Sequence, residues 1–440
     1  MLGPTVLPWV RQRVAAPSVC CALLLAFGAC SAPFEASKDT PTVTDSGQTD
    51  PDDGSSGGGG DAGGDAGGDA GGGDDGGDDD GGDEGEEARL DPFDRIIRDF
   101  VIELDDDALA ALAEAPREDV PGLITFEGES WTAGVRLKGS TSFRDLSEKA
   151  AFKIDFHEYD EDARWLGRKR VTLNNMIQDP TMSSENLSYA LHAAMGHPTP
   201  MHGYARVTVN GELFGLYSVL ETVDDDFLEQ VFSDDAEGNL YEGGYGGDFN
   251  NGCDDLFEQK EGDDTSLSDL EALIAEVEAS TPETIEALLD ARFNADGMMA
   301  MWAVEIVSSN NDAYTSLANN YFVYHALEAD RWTMIPWGAD QAFRGEEPLP
   351  ESFYGVLAQR CWEASGCRAR MKAQVEAVLD TWEATDFATS AIEDMDAIED
   401  DCRTDPRSEW GDYGCRDKLE ELRAWVSGRS EVVRAELEAW

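Results

Sequence analysis

Residues 205–221 have the sequence ARVTVNGELFGLYSVLE, and this stretch decides the fold class of the first half of the chain. Two runs rich in β-branched and aromatic residues flank Asn210-Gly211, and an Asn-Gly pair in that setting is a strong signal for a tight β-hairpin. Toward the N-terminus, further strand-like runs occupy residues 123–126, 131–137, 151–156 and 171–173. In the third of these, apolar and charged side chains alternate with the period of a half-buried strand. The sequence therefore predicts a strand-rich region from about residue 91 to about residue 232.

Helical patterns dominate the rest of the chain. One helix is predicted within the strand-rich region, from Ser184, which can cap it, to Met195. A Gly- and Asp-rich stretch at 233–264 follows, and we interpret its segment GGYGG at 243–247 as a flexible insertion. Beyond it, Ser268 and Glu271 form a predicted capping box, residues 297–308 are typical of a buried helix, and three amphipathic patterns begin near residue 368. Strands followed by helices indicate an α+β fold in two lobes, with an N-lobe at about 91–232 and a C-lobe at about 265–440.

The N-terminal 90 residues are predicted to lie outside the fold. Arg11 and Arg13 precede a short apolar run that ends in small residues before Cys30, as in an export signal over residues 1–30. This ending resembles the bacterial lipobox, so Cys30 is a candidate lipidation site, and an ordinary cleaved signal peptide is the alternative. Residues 31–90 form a Gly- and Asp-rich acidic linker, predicted to be disordered because it cannot bury enough apolar surface. We therefore expect an exported protein that a lipid anchors to the membrane of the cell envelope.

The charge of the chain restricts its partners. The 440 residues include 92 acids but only 32 Lys and Arg residues, so the formal net charge is −60. Nucleic acid and anionic lipid are polyanions that need basic patches, and such a charge argues against both. A metal ion or a basic protein suits this surface better.

Five cysteines follow the predicted signal and its lipidation candidate. Cys361 with Cys367, and Cys402 with Cys415, are the natural neighbouring pairs for disulfides in an exported protein, which leaves Cys253 over. The sequence alone does not establish the connectivity. A zinc site is the alternative, although neither pair has the CxxC spacing that structural zinc favours.

Polar residues cluster between positions 308 and 340, where a predicted buried helix leads into strand-like runs. Asp312, Asn319 and Asn320 would be costly to bury without partners, and Asp340 follows an apolar stretch directly. Two Asp residues and an Asn at the ends of short strands suit phosphoryl transfer. One carboxylate then orients the attacking hydroxyl, while the Asn and the second Asp hold Mg²⁺ on the phosphates.

Several spaced motifs together resemble the CotH kinase family (spore coat protein H-like), a distant branch of the protein-kinase fold. RLKGSTS at 136–142 is similar to the family's R-x-R-G-x-x-S turn, and residues 149–156 resemble its lysine-rich strand. Residues 209–221 are similar to its NGxYxGxYxLxE signature, while 310–324 and 335–343 resemble its NxDxxxxNYxxY and IPWDxDxxF stretches. The resemblance covers roughly residues 95–400. It implies an atypical protein-kinase-like two-lobed fold.

The resemblance also implies a site for ATP. By position, Lys153 would contact the nucleotide phosphates, with Glu185 as its candidate ion-pair partner and Glu221 at the hinge near adenine. Lys153 and Glu185 also have simpler structural interpretations. Lys153 could occupy the solvent side of its strand, and Glu185 could be an acid favoured by the helix dipole.

The remaining roles concern the chemistry. The resemblance makes Asp312 the candidate base, and Asn320 (or Asn319) and Asp340 the candidate Mg²⁺ ligands. The family often has Asp where this chain has Gly338, so a metal ligand or its support is lost. The sequence predicts an exported kinase that transfers the ATP γ-phosphoryl group to Ser or Thr of a protein. The alternatives are a non-catalytic surface binding or assembly protein on the same fold, and a structural calcium-binding surface protein.

Overall fold

The computed structural model describes Asp94 and residues 96–250, 252–262, 266–345 and 349–440. The predicted export signal, the lipidation candidate Cys30 and the predicted linker lie outside the described residues. In the described part of the chain, no helix is long and apolar enough to cross a membrane.

Seven strands of the first half close into a barrel. They are β1 (Arg98–Glu103), β2 (Val120–Phe126), β3 (Glu129–Lys138), β4 (Ala151–Asp155), β5 (Arg170–Asn174), β6 (His202–Val209) and β7 (Glu212–Glu221), in the order β1-β2-β3-β4-β5-β7-β6. The barrel closes because β1 pairs antiparallel with β2 and parallel with β6. β6 and β7 form the predicted hairpin, and Asn210 and Gly211 at its turn both have positive φ angles, as such tight turns require. The strand predictions for this region are confirmed.

Apolar side chains fill the interior of the barrel. Phe100, Phe126, Phe156 and Trp165 form an aromatic group there, in which the rings of Phe156 and Trp165 stack with their centres 5.9 Å apart. Each buried phenylalanine of this group contributes about 1.5–3 kcal/mol relative to an exposed one. Because the interior is a packed core, a ligand has to bind on the outside of the barrel.

Three helices accompany the barrel: α1 (Asp106–Glu114), α2 (Ser184–Ala194) and α3 (Asp225–Phe232). α2 begins at Ser184 as predicted, but Ser184 does not cap it. The side chain of Asp179 accepts the backbone N–H groups of Ser183 and Ser184 at 3.0 and 2.8 Å. The capping carboxylate thus comes from the turn that precedes the helix.

The second half of the chain contains a sheet of its own. Its strands are β8 (Asn239–Gly243), β9 (Phe257–Glu261), β10 (Tyr321–Ala326) and β11 (Arg331–Pro336), in the order β11-β10-β8-β9. β10 and β11 are the predicted strand pair. The prediction of a flexible insertion at 243–247 is wrong, because this segment ends β8 and packs against β10. The Gly247 carbonyl accepts the Tyr321 hydroxyl at 2.9 Å.

Eight helices make up most of the remaining described residues. They are α4 (Ser268–Ala279), α5 (Ile285–Arg292), α6 (Ala295–Val307), α7 (Tyr314–Leu317), α8 (Val356–Glu363), α9 (Ser365–Ala384), α10 (Phe387–Thr404) and α11 (Gly411–Leu437). α6 is the predicted buried helix, and α9 to α11 are the three predicted amphipathic ones. The capping box at Ser268 does not form. Leu267, with a left-handed backbone and no side-chain hydrogen bond, precedes α4 instead.

Two disulfides join neighbouring helices. Cys361–Cys367 links α8 to α9 and Cys402–Cys415 links α10 to α11, with Cα atoms 5.0 and 6.1 Å apart. Both predicted pairs are therefore confirmed. The expectation that Cys253 is left over is wrong, because it is disulfide-bonded as well.

The α+β class is confirmed, whereas the expectation of a protein-kinase-like arrangement with a strand-rich N-lobe and a helical C-lobe needs correction. The strand-rich region is a closed barrel because β1 reaches β6. The helical region also contains a four-stranded sheet, because residues 233–264 contribute two strands to it. Both differences depend on pairings between distant segments.

Candidate active site

A cleft of about 500 Å³ lies where the outer surface of the barrel meets the second sheet. Strands β3, β4 and β5 line one side, β8, β9 and β10 the other, and the residues after β7 close one end. Its charged lining residues are the bases Arg136, Lys138, Lys153, Arg170 and Lys260 and the acids Asp119, Asp155, Glu158, Asp224, Glu242, Glu258 and Glu261. Five of the chain's 32 Lys and Arg residues thus meet in one cleft of a strongly acidic protein.

Two of these bases form no ion pair with any of the described residues. The ion pairs of the cleft are Arg136–Asp119, Arg170–Asp155 and Arg170–Asp224, and Lys260–Glu242 and Lys260–Glu258. Within the described part of the chain, neither Lys138 nor Lys153 has a carboxylate oxygen within 4.0 Å. Burial, together with the charges of Arg136 and Lys138, lowers the pKa of Lys153 to about 8. These two lysines are the groups of the cleft that could bind an anion, although its seven acids outnumber its five bases.

Lys138 lies between this cleft and a group of buried carboxylates. Burial lowers its pKa, while the charges of Glu185 and Asp340 raise it. Burial raises the pKa of Glu185 on α2 to about 7, and Lys138 opposes that shift. The Lys138 ammonium also lies 5.7 Å from the centre of the Trp337 ring. The cation that acts on Glu185 is therefore Lys138, and not Lys153 as the sequence suggested.

Asp312 and two asparagines form a hydrogen-bonded group between α6 and β10. The Asn319 amide donates to Oδ1 of Asp312 at 3.0 Å, and the Asn320 amide donates to Oδ2 at 2.9 Å. Asn320 donates to the Asp312 carbonyl as well, at 2.9 Å. Both carboxylate oxygens are thus oriented, and the side-chain oxygen of Asn320 faces Gly338.

Asp340 is 9% exposed and lies four residues beyond the end of β11. Burial, together with the carboxylates of Glu185, Asp179 and Asp312, raises the pKa of Asp340 to about 8, and the charge of Arg344 opposes this shift. Asp340 therefore has three acids near it. A bound cation would relieve their mutual repulsion.

These residues fit Mg²⁺. Asp340 and the side-chain oxygen of Asn320 are the oxygen ligands that this ion prefers. Among the described residues, no group of three or more His, Cys, Asp or Glu side chains could hold a metal by itself.

Glu221 has a different place from the one its predicted role suggests. It ends β7, and its carboxylate accepts hydrogen bonds from Arg168 at 2.9 Å and from the Met201 N–H at 3.1 Å. The cleft is lined instead by the residues that follow it, Thr222 to Asp224. Glu221 itself is not among the residues that line the cleft.

A model of the CotH kinase protein family matches residues 135–433. The chain belongs to the CotH kinase protein family. It is 22% identical to the inner spore coat protein H of Bacillus subtilis (strain 168) over 233 residues, which are 51% of this chain and 62% of that protein. It is 31% identical to an inner spore coat protein H-like protein of the same organism over 74 residues, 17% of this chain and 22% of that protein. The chain thus covers less than two thirds of either relative.

Gly338 is where this chain departs from the resemblance to the CotH kinase family, which often has Asp there. Its φ is +56°, and a Cβ atom built on it would lie 2.7 Å from the side-chain oxygen of Asn320. Its N–H donates to the Tyr189 hydroxyl of α2 at 3.0 Å. The arrangement of Asn320 therefore favours glycine at this position.

Three further residues of the site had no role assigned from the sequence. Lys138 could have been found, because it belongs to the RLKGSTS turn, and Asp179 because an Asp shortly before a helix is typical of a cap. Arg344 donates to the carbonyls of Gln178 and Asp340 at 2.7 and 2.9 Å. Arg344 thus joins the turn before α2 to the turn that carries Asp340. No local sequence pattern predicts this role for Arg344.

Proposed function

We propose that this CotH family member is a kinase that transfers the γ-phosphoryl group of ATP to a Ser or Thr hydroxyl of a protein, with Mg²⁺. The observation that carries the proposal is the cleft itself. Two lysines that form no ion pair, Lys138 and Lys153, line it; the charge of Asp340 acts on Lys138, and the charge of Asp312 acts on Asp340. Its volume of about 500 Å³ is within the usual range for small-molecule sites. The phosphates of a nucleoside triphosphate would pair with the two lysines that form no ion pair, Lys138 and Lys153.

In the proposed transfer, the substrate hydroxyl oxygen forms a bond to the γ-phosphorus while the bond to the β–γ bridging oxygen breaks and ADP leaves. Asp312 orients the hydroxyl and accepts its proton on a carboxylate oxygen. Asn319 and Asn320 hold that carboxylate through their amide groups. Such positioning supplies most of the catalysis in phosphoryl transfer.

In this proposal, the lysines and the metal ion neutralise the negative charge of the phosphates. Lys138 and Lys153 would contact phosphate oxygens, and Glu185 would orient Lys138. Asp340 and Asn320 would hold Mg²⁺, which supplies positive charge to the phosphate oxygens when it is bound. Because the pKa of Asp340 is about 8, its proton must leave before it can bind the ion, so binding is favoured as the pH rises.

We also propose that the protein is exported and anchored to the cell envelope, at the outer membrane or the cell surface, by lipid on Cys30. The apolar run before Cys30 supports export. One relative is an inner spore coat protein of Bacillus subtilis, which supports a location outside the cytoplasm. A net charge of −60 supports a basic protein substrate and argues against nucleic acid.

The purified chain, labelled ATP, Mg²⁺ and a basic Ser/Thr-rich polypeptide test the proposal. We expect Asp312→Asn and Asp340→Asn to lower transfer by at least about 100-fold. Asp107→Asn, in the exposed first turn of α1, is the matched control and should transfer like the wild type. Equal labelling by all four proteins would refute the assigned roles.

A non-catalytic surface binding or assembly protein is the second candidate, and Gly338 favours it because the resemblance places Asp there. This function predicts that the wild type shows no transfer and no heat of ATP binding in calorimetry. A calcium-binding surface protein predicts instead a calcium-dependent melting temperature that Asp312→Asn and Asp340→Asn leave unchanged.

A further inference from the structure

The segment between α10 and α11 extends from the helical half of the chain onto the barrel. We call residues 402–415 the disulfide loop, because Cys402 and Cys415 join its two ends. Its contacts lie on the barrel and on the turn before α2, which are far from it in sequence.

The strongest of these contacts is a buried ion pair. Asp405 accepts a hydrogen bond from the Lys149 ammonium at 2.7 Å, and both side chains are fully buried. The same carboxylate accepts the Leu216 N–H of β7 at 2.9 Å. Removing one partner of such a pair leaves a buried charge without compensation, so the pair holds the loop and the barrel in one arrangement.

Arg407 and Glu409 extend the attachment. Arg407 donates to the Leu146 carbonyl at 2.9 Å and to the Glu212 carboxylate at 2.8 Å. Glu409 accepts from Arg144 at 2.6 Å. The loop thus contacts the segment that leads into β4 as well as the start of β7.

The disulfide loop also supports the turn from which α2 begins. The Trp410 indole N–H donates to the Ile177 carbonyl at 3.0 Å, and the Cys402 sulfur lies 3.7 Å from the Pro180 carbonyl oxygen. Between these two contacts is Asp179, whose carboxylate caps α2. α2 in turn carries Glu185, and its Tyr189 hydroxyl accepts the N–H of the glycine two residues before Asp340.

We propose that the disulfide loop is a positioning element of the phosphoryl-transfer site. It fixes the turn at 177–181, and through that turn it fixes the distance of Glu185 from Lys138 and of α2 from the Asp340 turn. This inference rests on the proposed function for its catalytic part. Its structural part, that the disulfide loop holds α2, stands without it.

The second disulfide provides a matched control. Cys361–Cys367 joins two helices of the same half and, among the described residues, lies in the helical core rather than on the barrel. The test compares Cys402→Ser/Cys415→Ser with Cys361→Ser/Cys367→Ser by hydrogen exchange of the α2 peptide, with the β2–β3 hairpin as internal reference. We expect exchange in α2 to rise at least about tenfold in the first variant and to keep its wild-type rate in the second.

Kinetics separate positioning from general loss of structure. In Cys402→Ser/Cys415→Ser, kcat should fall about 10–100-fold, while KM for ATP changes less than about threefold because Lys153 stays on its barrel strand. A wild type that transfers no phosphate refutes the proposed function, but the α2 exchange rates still decide whether the loop holds the helix.

Trp410→Phe is the second variant. It tests the proposal in case Cys402→Ser/Cys415→Ser does not fold. It keeps an aromatic ring and removes only the hydrogen bond to Ile177. We expect faster exchange in α2 with the hairpin unchanged. Wild-type exchange in α2 for every variant that folds would overturn the proposal.

Discussion

Replacing Gly338 by Asp, the residue that the family resemblance leads one to expect, should damage the site rather than improve it. A side chain here adopts a left-handed backbone, with φ at +56°, which costs about 1–2 kcal/mol for a residue other than glycine. Its Cβ would lie 2.7 Å from the Asn320 side-chain oxygen, so Asn320 must move and loosen its hydrogen bond to Asp312. That bond contributes about 1 kcal/mol. The free energy of unfolding should therefore fall by about 2–3 kcal/mol.

Urea denaturation of Gly338→Asp, Gly338→Ala and Gly167→Ala measures this loss in the free energy of unfolding. Gly167 also has a positive φ, +86°, but no atom lies within 4 Å of a Cβ there, so its substitution isolates the backbone cost. Both Gly338 variants should lose more stability than Gly167→Ala, and adding Asn320→Ala should remove part of the excess. Phosphoryl transfer by Gly338→Asp should fall. A Gly338→Asp protein as stable as Gly167→Ala, or faster than the wild type, would refute this reasoning.

Three further predictions concern charged groups. Lys153→Met should raise KM for ATP about tenfold with little change in kcat, whereas Lys138→Met should lower kcat as well. Steady-state kinetics that show equal effects of the two variants would contradict the different roles of the two lysines. Because burial raises the pKa of Asp340 to about 8, the folded protein binds a proton there that the unfolded chain releases, so stability should fall as the pH rises from about 4 to about 8. Mg²⁺ should raise Tm more at the upper end of this range. In thermal scans, Asp340→Asn should abolish the Mg²⁺ effect and reduce the pH dependence, of which buried Glu185, with its pKa raised to about 7, keeps a part. Asp405→Asn should lower the free energy of unfolding, measured by urea titration, by about 3–5 kcal/mol. Combining it with Lys149→Met should recover part of this loss. Losses of stability that simply add in the double variant would contradict a coupled pair.

Local patterns were sufficient where the physical cause is local. The Asn210-Gly211 turn, the alternation in β4 and the apolar run of α6 each express a constraint within a few neighbouring residues, and the structure confirms all three. The neighbouring cysteine pairs are confirmed for the same reason.

Contacts between distant segments account for the side-chain arrangements that local patterns did not predict. Lys153 is on the expected strand, but the side chain coupled to Glu185 is that of Lys138 on the preceding strand, and only the sheet register brings the two lysines to one cleft. Glu221 lies one residue before the cleft because Arg168, on the strand entry opposite, takes its carboxylate. Which side chains become partners depends on which segments the fold brings together.

The sequence by itself determined the α+β class, the order of most elements and the family, because these follow from periodicity, turn residues and spaced motifs. Tertiary structure alone decided that the strands close into a barrel, that residues 233–264 supply two strands to a second sheet, and that Gly338 makes room for Asn320. Each of these depends on the approach of segments that lie far apart in the chain, and the free energy of such contacts is set by distance, burial and charge in the folded protein.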